Sequence, residues 1–282
     1  QGIELEVGYK LSVDKVNLSF LANASYVKNE IKNLGNQTGY IDKESLPTLG
    51  TVSRNENGYP IGYFFGYKAI GVFQTQEEID SYISPATGKP IQPNAAPGDT
   101  KFEDLNGDGV ISDDNEDRTM IGKPNPDWMV GLTVAADWNG FDLSAFFQGS
   151  FGADVFDALR RYELAAVNYT SDALERWTGP GTSNSMPRIV LGDTPKNFRP
   201  STLLVHDASF LRLRNLQVGY TLPAQLTRKA YIQRLRFYAS FDNLLTITGY
   251  KGMDPEIGST MGIDKGVYPQ ARVYTFGLNL TF

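Results

Sequence analysis

Cysteine is absent from the 282-residue chain, which excludes disulfides, thiolate metal sites and cysteine nucleophiles. That absence suits an envelope protein, for which stray oxidation is a hazard. Histidine occurs once, at His206 beside Asp207. A Ser-His-Asp hydrolase also needs a nucleophile elbow, and the sequence has none. No stretch approaches the roughly 18 consecutive apolar residues of a membrane-spanning helix. Positive charge is in deficit: 26 Lys and Arg against 32 Asp and Glu leave a net charge of −6, which argues against a nucleic-acid partner. The chain opens on strand-like sequence with no leader, so Gln1 is expected to begin a fragment. No catalytic constellation stands out, and the chain is read as a non-enzyme. Acids are frequent enough that spacing alone leaves a pair of glycosidase carboxylates open.

Aromatics, by contrast, are plentiful, with 15 Tyr and 16 Phe. Many of them fall into long period-two runs. Ile3, Leu5, Val7, Tyr9 and Leu11 share one parity, and after a turn at 12–14 so do Val16, Leu18, Phe20, Ala22, Ala24 and Tyr26, with Leu21 out of step. Trp128, Val130, Leu132, Val134 and Ala136 lead to Asn139-Gly140, a strong hairpin signal, and then to Phe141, Leu143, Ala145, Phe147 and Phe151. In 208–222 the parity switches between Leu213 and Leu216, which predicts a bulge near Arg214-Asn215. Leu235, Phe237, Ala239 and Phe241 alternate within 233–243, and Tyr274, Phe276, Leu278, Leu280 and Phe282 close the chain. These make seven strands, several of 10 residues or more. A soluble strand averages about 5–6 residues, whereas a membrane-spanning one needs roughly 9–11.

Alternation alone fits a soluble sandwich equally well. The connections favour a barrel. Links at 12–14, 139–140 and about 223–231 are short, while those at 28–127, 153–207 and about 248–270 are long. Short and long alternate strictly, as when one rim of a transmembrane barrel faces the periplasm and the other the outside. On this scheme the aromatic segment 60–73 belongs to a large extracellular loop, because a crossing there would put Asn139-Gly140 on the wrong rim. Seven strands cannot close a bacterial barrel, whose minimum is eight, so further strands are expected from elsewhere.

The loops carry one dense chemical motif. Asp104, Asn106 and Asp108, with Gly109 next and Ile111 beyond, match the first half of an EF-hand-type loop, in which the carbonyl of Val110 would also serve as a ligand. The second half departs, with Ser112 and Asn115 at the late positions and Asp117 as the nearest late carboxylate. A structural Ca2+ site at Asp104, Asn106, Asp108, Val110 and Asp117 is expected, against the plainer reading of a hydrogen-bonded acidic turn. Pro124 and Pro126 stiffen the approach to Trp128, an interfacial girdle candidate. In 153–207, Val155, Leu159 and Tyr162 have helical spacing, and 172–177 suits another turn. Arg160, Arg161, Glu163, Glu175 and Arg176 are candidate contacts or merely solvated charges. Tyr59, Tyr63 and Tyr82 suit sugar stacking or loop core equally.

The run from Gly98 through Asp104-Leu-Asn-Gly-Asp-Gly-Val-Ile to Asp117-Arg118-Thr-Met-Ile-Gly-Lys-Pro-Asn-Pro-Asp127 resembles the C-terminal region of SusC/RagA-type TonB-linked outer-membrane proteins of Bacteroidetes. Gly66-Tyr67 to Gly71-Val-Phe73, Tyr268-Pro-Gln-Ala-Arg272 and the terminal Phe282 resemble it too. The extra residues between Ile111 and Arg118 depart from the pattern. The resemblance implies an all-β chain, residues 1–282 forming the C-terminal part of a large transmembrane barrel whose N-terminal plug lies outside it. It implies outer-membrane import of oligosaccharides or peptides, driven by the TonB complex and shared with a SusD-like surface lipoprotein. It also makes Phe276, Leu280 and Phe282 candidates for a barrel-assembly signal. Two alternatives remain: a soluble or surface glycan-binding module with a calcium-stabilised loop, and an outer-membrane glycan hydrolase.

Overall fold

A computed structural model gives the fold and describes residues 1–282 except 114, 163, 165–167 and 258–260. Seven long strands form one sheet: β1 (Gly2–Val13), β2 (Val16–Val27), β3 (Trp128–Trp138), β4 (Phe141–Phe151), β5 (Phe210–Thr221), β6 (Arg234–Thr248) and β7 (Val273–Thr281). They lie side by side in chain order, and every neighbouring pair is antiparallel. The β3–β4 turn has Asn139 at φ 48° and Gly140 at φ 88°, as a two-residue hairpin requires. The first turn sits at Asp14-Lys15, and β1 runs on to Val13, beyond the expected end at Leu11.

The parity switch in β5 is a bulge. Pairing skips from Leu213 to Asn215, leaving Arg214 as the extra residue, so that Leu213 and Leu216 point the same way. On β6 the left-handed Asn243 (φ 52°) answers it, and the strand continues to Thr248, past the expected limit at 243. The adjacent Leu244 and Leu245 had hidden that continuation.

The three short turns share one rim, and the three long connections leave the other. The long connections fold onto one another. In the first, a four-stranded sheet orders Arg118–Gly122, Tyr63–Tyr67, Ser53–Glu56 and Tyr40–Asp42. Residues 60–73 therefore lie outside the large sheet, as the rim argument requires. In the second, Asp154–Asp157 is a strand, paired with Val205–Asp207 and with Ile263–Asp264 of the third connection. The helical spacing of Val155, Leu159 and Tyr162 was misleading. Among the described residues of 153–207 the helical elements are all 3-10 turns, at Ser171–Glu175, Leu191–Asp193 and Thr202–Leu204. A shared core binds the three connections: Leu46, Val52 and Phe64 from the first, Phe156, Ala158 and Leu204 from the second, and Ile263 from the third.

Candidate functional site

The register brings the outward residues of all seven strands into continuous rows. One row runs Leu5, Ala24, Val130, Gly149, Leu211 and Ile247 across β1 to β6. Another runs Tyr9, Phe20, Val134, Ala145, Leu216, Phe241 and Tyr274 across β1 to β7. Large side chains on this face stand uncovered: Ile3, Trp128, Leu132, Phe141, Phe237 and Phe276 are all exposed. Among the described residues no second sheet packs on it, which removes the sandwich alternative.

Aromatic rings bound this face at both ends. On the short-turn rim Trp138 stacks on Phe141 (6.2 Å), and Phe141 meets Tyr220 at 4.4 Å. On the other rim Tyr26 and Trp128 lie 5.0 Å apart. Trp128 and Trp138 are the two ends of β3 and point the same way. Their separation is about 33 Å along the strand at about 3.3 Å per residue. At a strand tilt of about 40° that projects to about 25 Å, the height of the apolar band of an outer-membrane barrel. Phe276 and Leu280 lie outward on β7, and Phe282 follows the strand, exposed.

The inward face is polar. Asp142 accepts from Nε of Arg236 at 2.8 Å, and Asn215 donates to Asp242 at 2.7 Å. Leu21, out of step in the sequence, faces inward opposite Gly8 and Thr133. Near the long-loop rim two inward arginines grip the third connection. Arg212, 2 % exposed, donates to Asp254 (2.6 Å), Glu256 (3.0 Å) and Thr246 (2.9 Å). Arg214 donates to Glu256 and Gln148, both at 2.6 Å, and to Asn243 at 3.1 Å. Burial alone would raise the Asp254 carboxyl, but the backbone N–H groups of Gln270 and Glu256 and the Arg212 guanidinium hold it below the ordinary range. This clasp was not anticipated. The signal for it was two arginines on the inward parity of one strand.

In the loop assembly most candidate contacts prove internal. Arg160 pairs with Asp157 (2.9 Å) and with Asp172, and Arg161 donates to Pro47 O at 2.9 Å. Glu175 is 3.9 Å from Lys251, and Arg176 donates to Ala173 O. Glu163 lies outside the described residues. Tyr63, 1 % exposed, is loop core, its phenol pushed up by burial and by its bond to Glu56. Tyr59 packs on it at 4.9 Å, and Tyr82 donates to Phe102 O at 2.8 Å. His206 sits 3.8 Å from Asp157, its Nε2 buried without a hydrogen-bond partner. Burial and the Arg160 charge hold its pKa below the ordinary histidine value.

The 104–117 loop gathers Asp104, Asn106, Asp108 and Asp117 but turns their oxygens onto its own backbone. Asp104 accepts from Gly107 (2.8 Å) and Gly109 (2.9 Å), and Asp108 accepts from Val110 at 2.8 Å. Asn106 accepts from the Asp108 N–H at 3.0 Å. Fully buried Asp117 accepts from Leu105 (3.0 Å) and Ser112 (2.9 Å). Val110 projects its side chain into solvent. Among the described residues no three His, Cys, Asp or Glu are grouped to hold a metal.

No family model matches the chain. It is 34 % identical over 236 residues to TonB-dependent receptor P3 of Formosa agariphila, covering 80 % of this chain and 22 % of that relative. It is 30 % identical over 287 residues to TonB-dependent receptor SusC of Bacteroides thetaiotaomicron, covering 100 % of this chain and 26 % of that one. The RagAB peptide transporter structure superposes over 100 % of this chain and 29 % of its own, with TM-score 0.75 and 26 % identity. The RagAB importer in its closed-closed state gives TM-score 0.71 at the same identity. The chain thus spans about a quarter of the length of the curated relatives it matches. In sequence and in fold, it belongs to the SusC/RagA type of TonB-linked outer-membrane proteins, as a portion of the barrel.

Proposed function

We propose that this chain forms wall and outer loops of a TonB-dependent importer that carries oligosaccharides or peptides across the bacterial outer membrane, without covalent chemistry of its own. The observation that carries the reading is the uncovered apolar face of seven spanning-length strands, bounded at both ends by aromatic rings. In soluble protein such a face would be covered; in lipid it is the favourable surface. Relatedness to TonB-dependent receptors supports the energy source, and likeness to the RagAB peptide transporter supports peptide cargo, with oligosaccharides the other cargo that the family resemblance implies.

A SusD-like lipoprotein is the proposed partner, seated on the outer side of the loop assembly. The polar inward face is proposed to meet a plug. The test is uptake of labelled oligomers by cells with and without the gene. The reading requires uptake to depend on the gene and to stop when the proton-motive force is collapsed. Uptake that survives either treatment would overturn it.

Calcium on the 104–117 loop belongs to the same proposal. Its support is the alternate-residue spacing of Asp104, Asn106 and Asp108. Ca2+ is expected to slow proteolysis within 100–118, and Asp104→Ala with Asp108→Ala to abolish that protection. An identical digestion rate with and without Ca2+ would remove the ion from the account.

A further inference from the structure

A cavity of about 490 Å3 opens between the first and second long connections, walled by Arg118, Lys196 and Arg199 around Tyr67 and Asp113. Among the described residues Arg118 donates to neutral oxygens: Phe65 O at 2.6 Å, Asn115 Oδ1 at 2.8 Å, and Thr51 O. None of the ion pairs among the described residues includes it. Its guanidinium lies 4.3 Å from the Phe65 ring centre, and its Nε is buried with no acceptor. Burial draws its pKa down to about 10. Among the described residues the Asp42 carboxylate acts on it only at a distance, and a desolvated guanidinium with no carboxylate in contact is costly unless an anion completes the site.

The neighbouring cations share a single carboxylate among the described residues, that of Asp113. Arg199 spends Nε on Lys196 O (3.1 Å), while its Nη1 stands 3.8 Å from Asp113 with no hydrogen-bond acceptor. Lys196 pairs with the same Asp113, which is exposed. Asp193 accepts from the backbone N–H groups of Asn197 (2.9 Å) and Phe198 (2.8 Å). Tyr67 and Phe102 hold the Arg199 guanidinium at 4.8 and 4.9 Å from their ring centres. A guanidinium fixed in this way is pre-organised for a carboxylate. Beyond the Lys196–Arg199 ridge lies a larger cavity of about 700 Å3, walled in part by Pro90, Ile91, Pro93 and Pro195.

We propose that the Arg118/Lys196/Arg199 cavity binds a carboxylate of the transported oligomer, the rest of which lies across the ridge in the larger cavity. The cargo is therefore acidic: a uronate-bearing glycan or an acidic peptide. The inference rests on the import reading, whose failure is separable below.

The test is calorimetric titration of the complete detergent-purified receptor with trigalacturonate against maltotriose, and with a glutamate-rich pentapeptide against its glutamine counterpart. At least one acidic probe is expected to bind about tenfold or more tighter than its neutral partner, the worth of a charge-assisted contact. That advantage should shrink with added salt and be lost in Arg199→Gln and in Lys196→Gln, the second being an exposed change that leaves the fold intact. Preference for only one acidic probe assigns the source of the carboxylate. Equal affinity for acidic and neutral partners, or an advantage untouched in Lys196→Gln and Arg199→Gln, overturns the site. Binding with this preference in a receptor that supports no uptake would overturn the import reading and leave the site standing.

Discussion

Phe64 and Phe276 are the same side chain in opposite circumstances. Phe64, fully buried, belongs to the core that joins the three long connections, whereas Phe276 is 76 % exposed on the last strand. The loop assembly is built as a soluble domain, with a buried aromatic interior and many internally paired charges. The large sheet has the reverse arrangement, apolar outside and polar inside. Each apolar side chain of that size gains about 1.5–3 kcal/mol on leaving water. The loops collect that gain on folding, and the sheet collects it only from a non-aqueous neighbour. The two regions therefore answer to different solvents. They meet at Arg212, which is rooted in the sheet and grips the loops.

The largest effect is expected at that junction. Asp254→Ala removes the buried carboxylate partner of Arg212 and leaves that charge with the partly exposed Glu256 alone, at a cost of about 3 kcal/mol. The third connection should become protease-sensitive well below the melting temperature of the barrel. If loop and barrel instead lose stability together by a small amount, the junction is not where the two regions are coupled.

A smaller effect distinguishes the two faces. Leu132→Arg places a charge outward near the middle of β3 and should cost about 2–4 kcal/mol in a bilayer. Thr133→Arg, one residue on and inward, should be tolerated in folding assays in lipid vesicles. Equal penalties at the two positions would erase the difference between the faces.

The smallest effect is expected from pH and is confined to the loops. The folded state holds the His206 pKa below its unfolded value, so the unfolded chain binds the proton more readily. Stability is then unaffected above about pH 6.5 and declines as pH falls below it toward the lowered folded value. Acid should therefore speed proteolysis around 154–157 and 205–207, and His206→Gln should flatten that dependence. A wild-type digestion rate unchanged between neutral and mildly acid pH would contradict the sign.

Why the sheet could be read from the amino-acid sequence and the clasp could not is a matter of distance along the chain. Alternation is a local signal: Phe141, Leu143 and Phe147 disclose their face within seven residues. Even the bulge at Arg214 declared itself, because it reversed the parity of the leucines on either side. Arg212 and Asp254 are 42 residues apart, and their pairing depends on how the third connection folds back into the sheet. The error at Val155, Leu159 and Tyr162 has the same origin. The helical spacing fails at its first member, Val155, which is taken up by strand pairing with His206, a pairing that no local pattern announces. For the 104–117 loop, spacing located the turn and its four oxygen-bearing side chains, but the destinations of those oxygens depend on backbone N–H groups that spacing does not describe.

The claim on which the rest depends is that alternate residues of β3 meet hydrocarbon. These 282 residues contain no cysteine, so, in a receptor whose remaining parts are also free of it, nitroxide labels can be placed one at a time at 129–137 in bilayers, and their collision rates with oxygen and with a water-soluble nickel chelate compared. The account predicts a period of two, with labels at 130, 132 and 134 rich in oxygen and shielded from nickel, deepest near the middle of the strand, and with their odd-numbered neighbours outside the lipid. Labels at 130, 132 and 134 as open to nickel as those at 131 and 133 would contradict it.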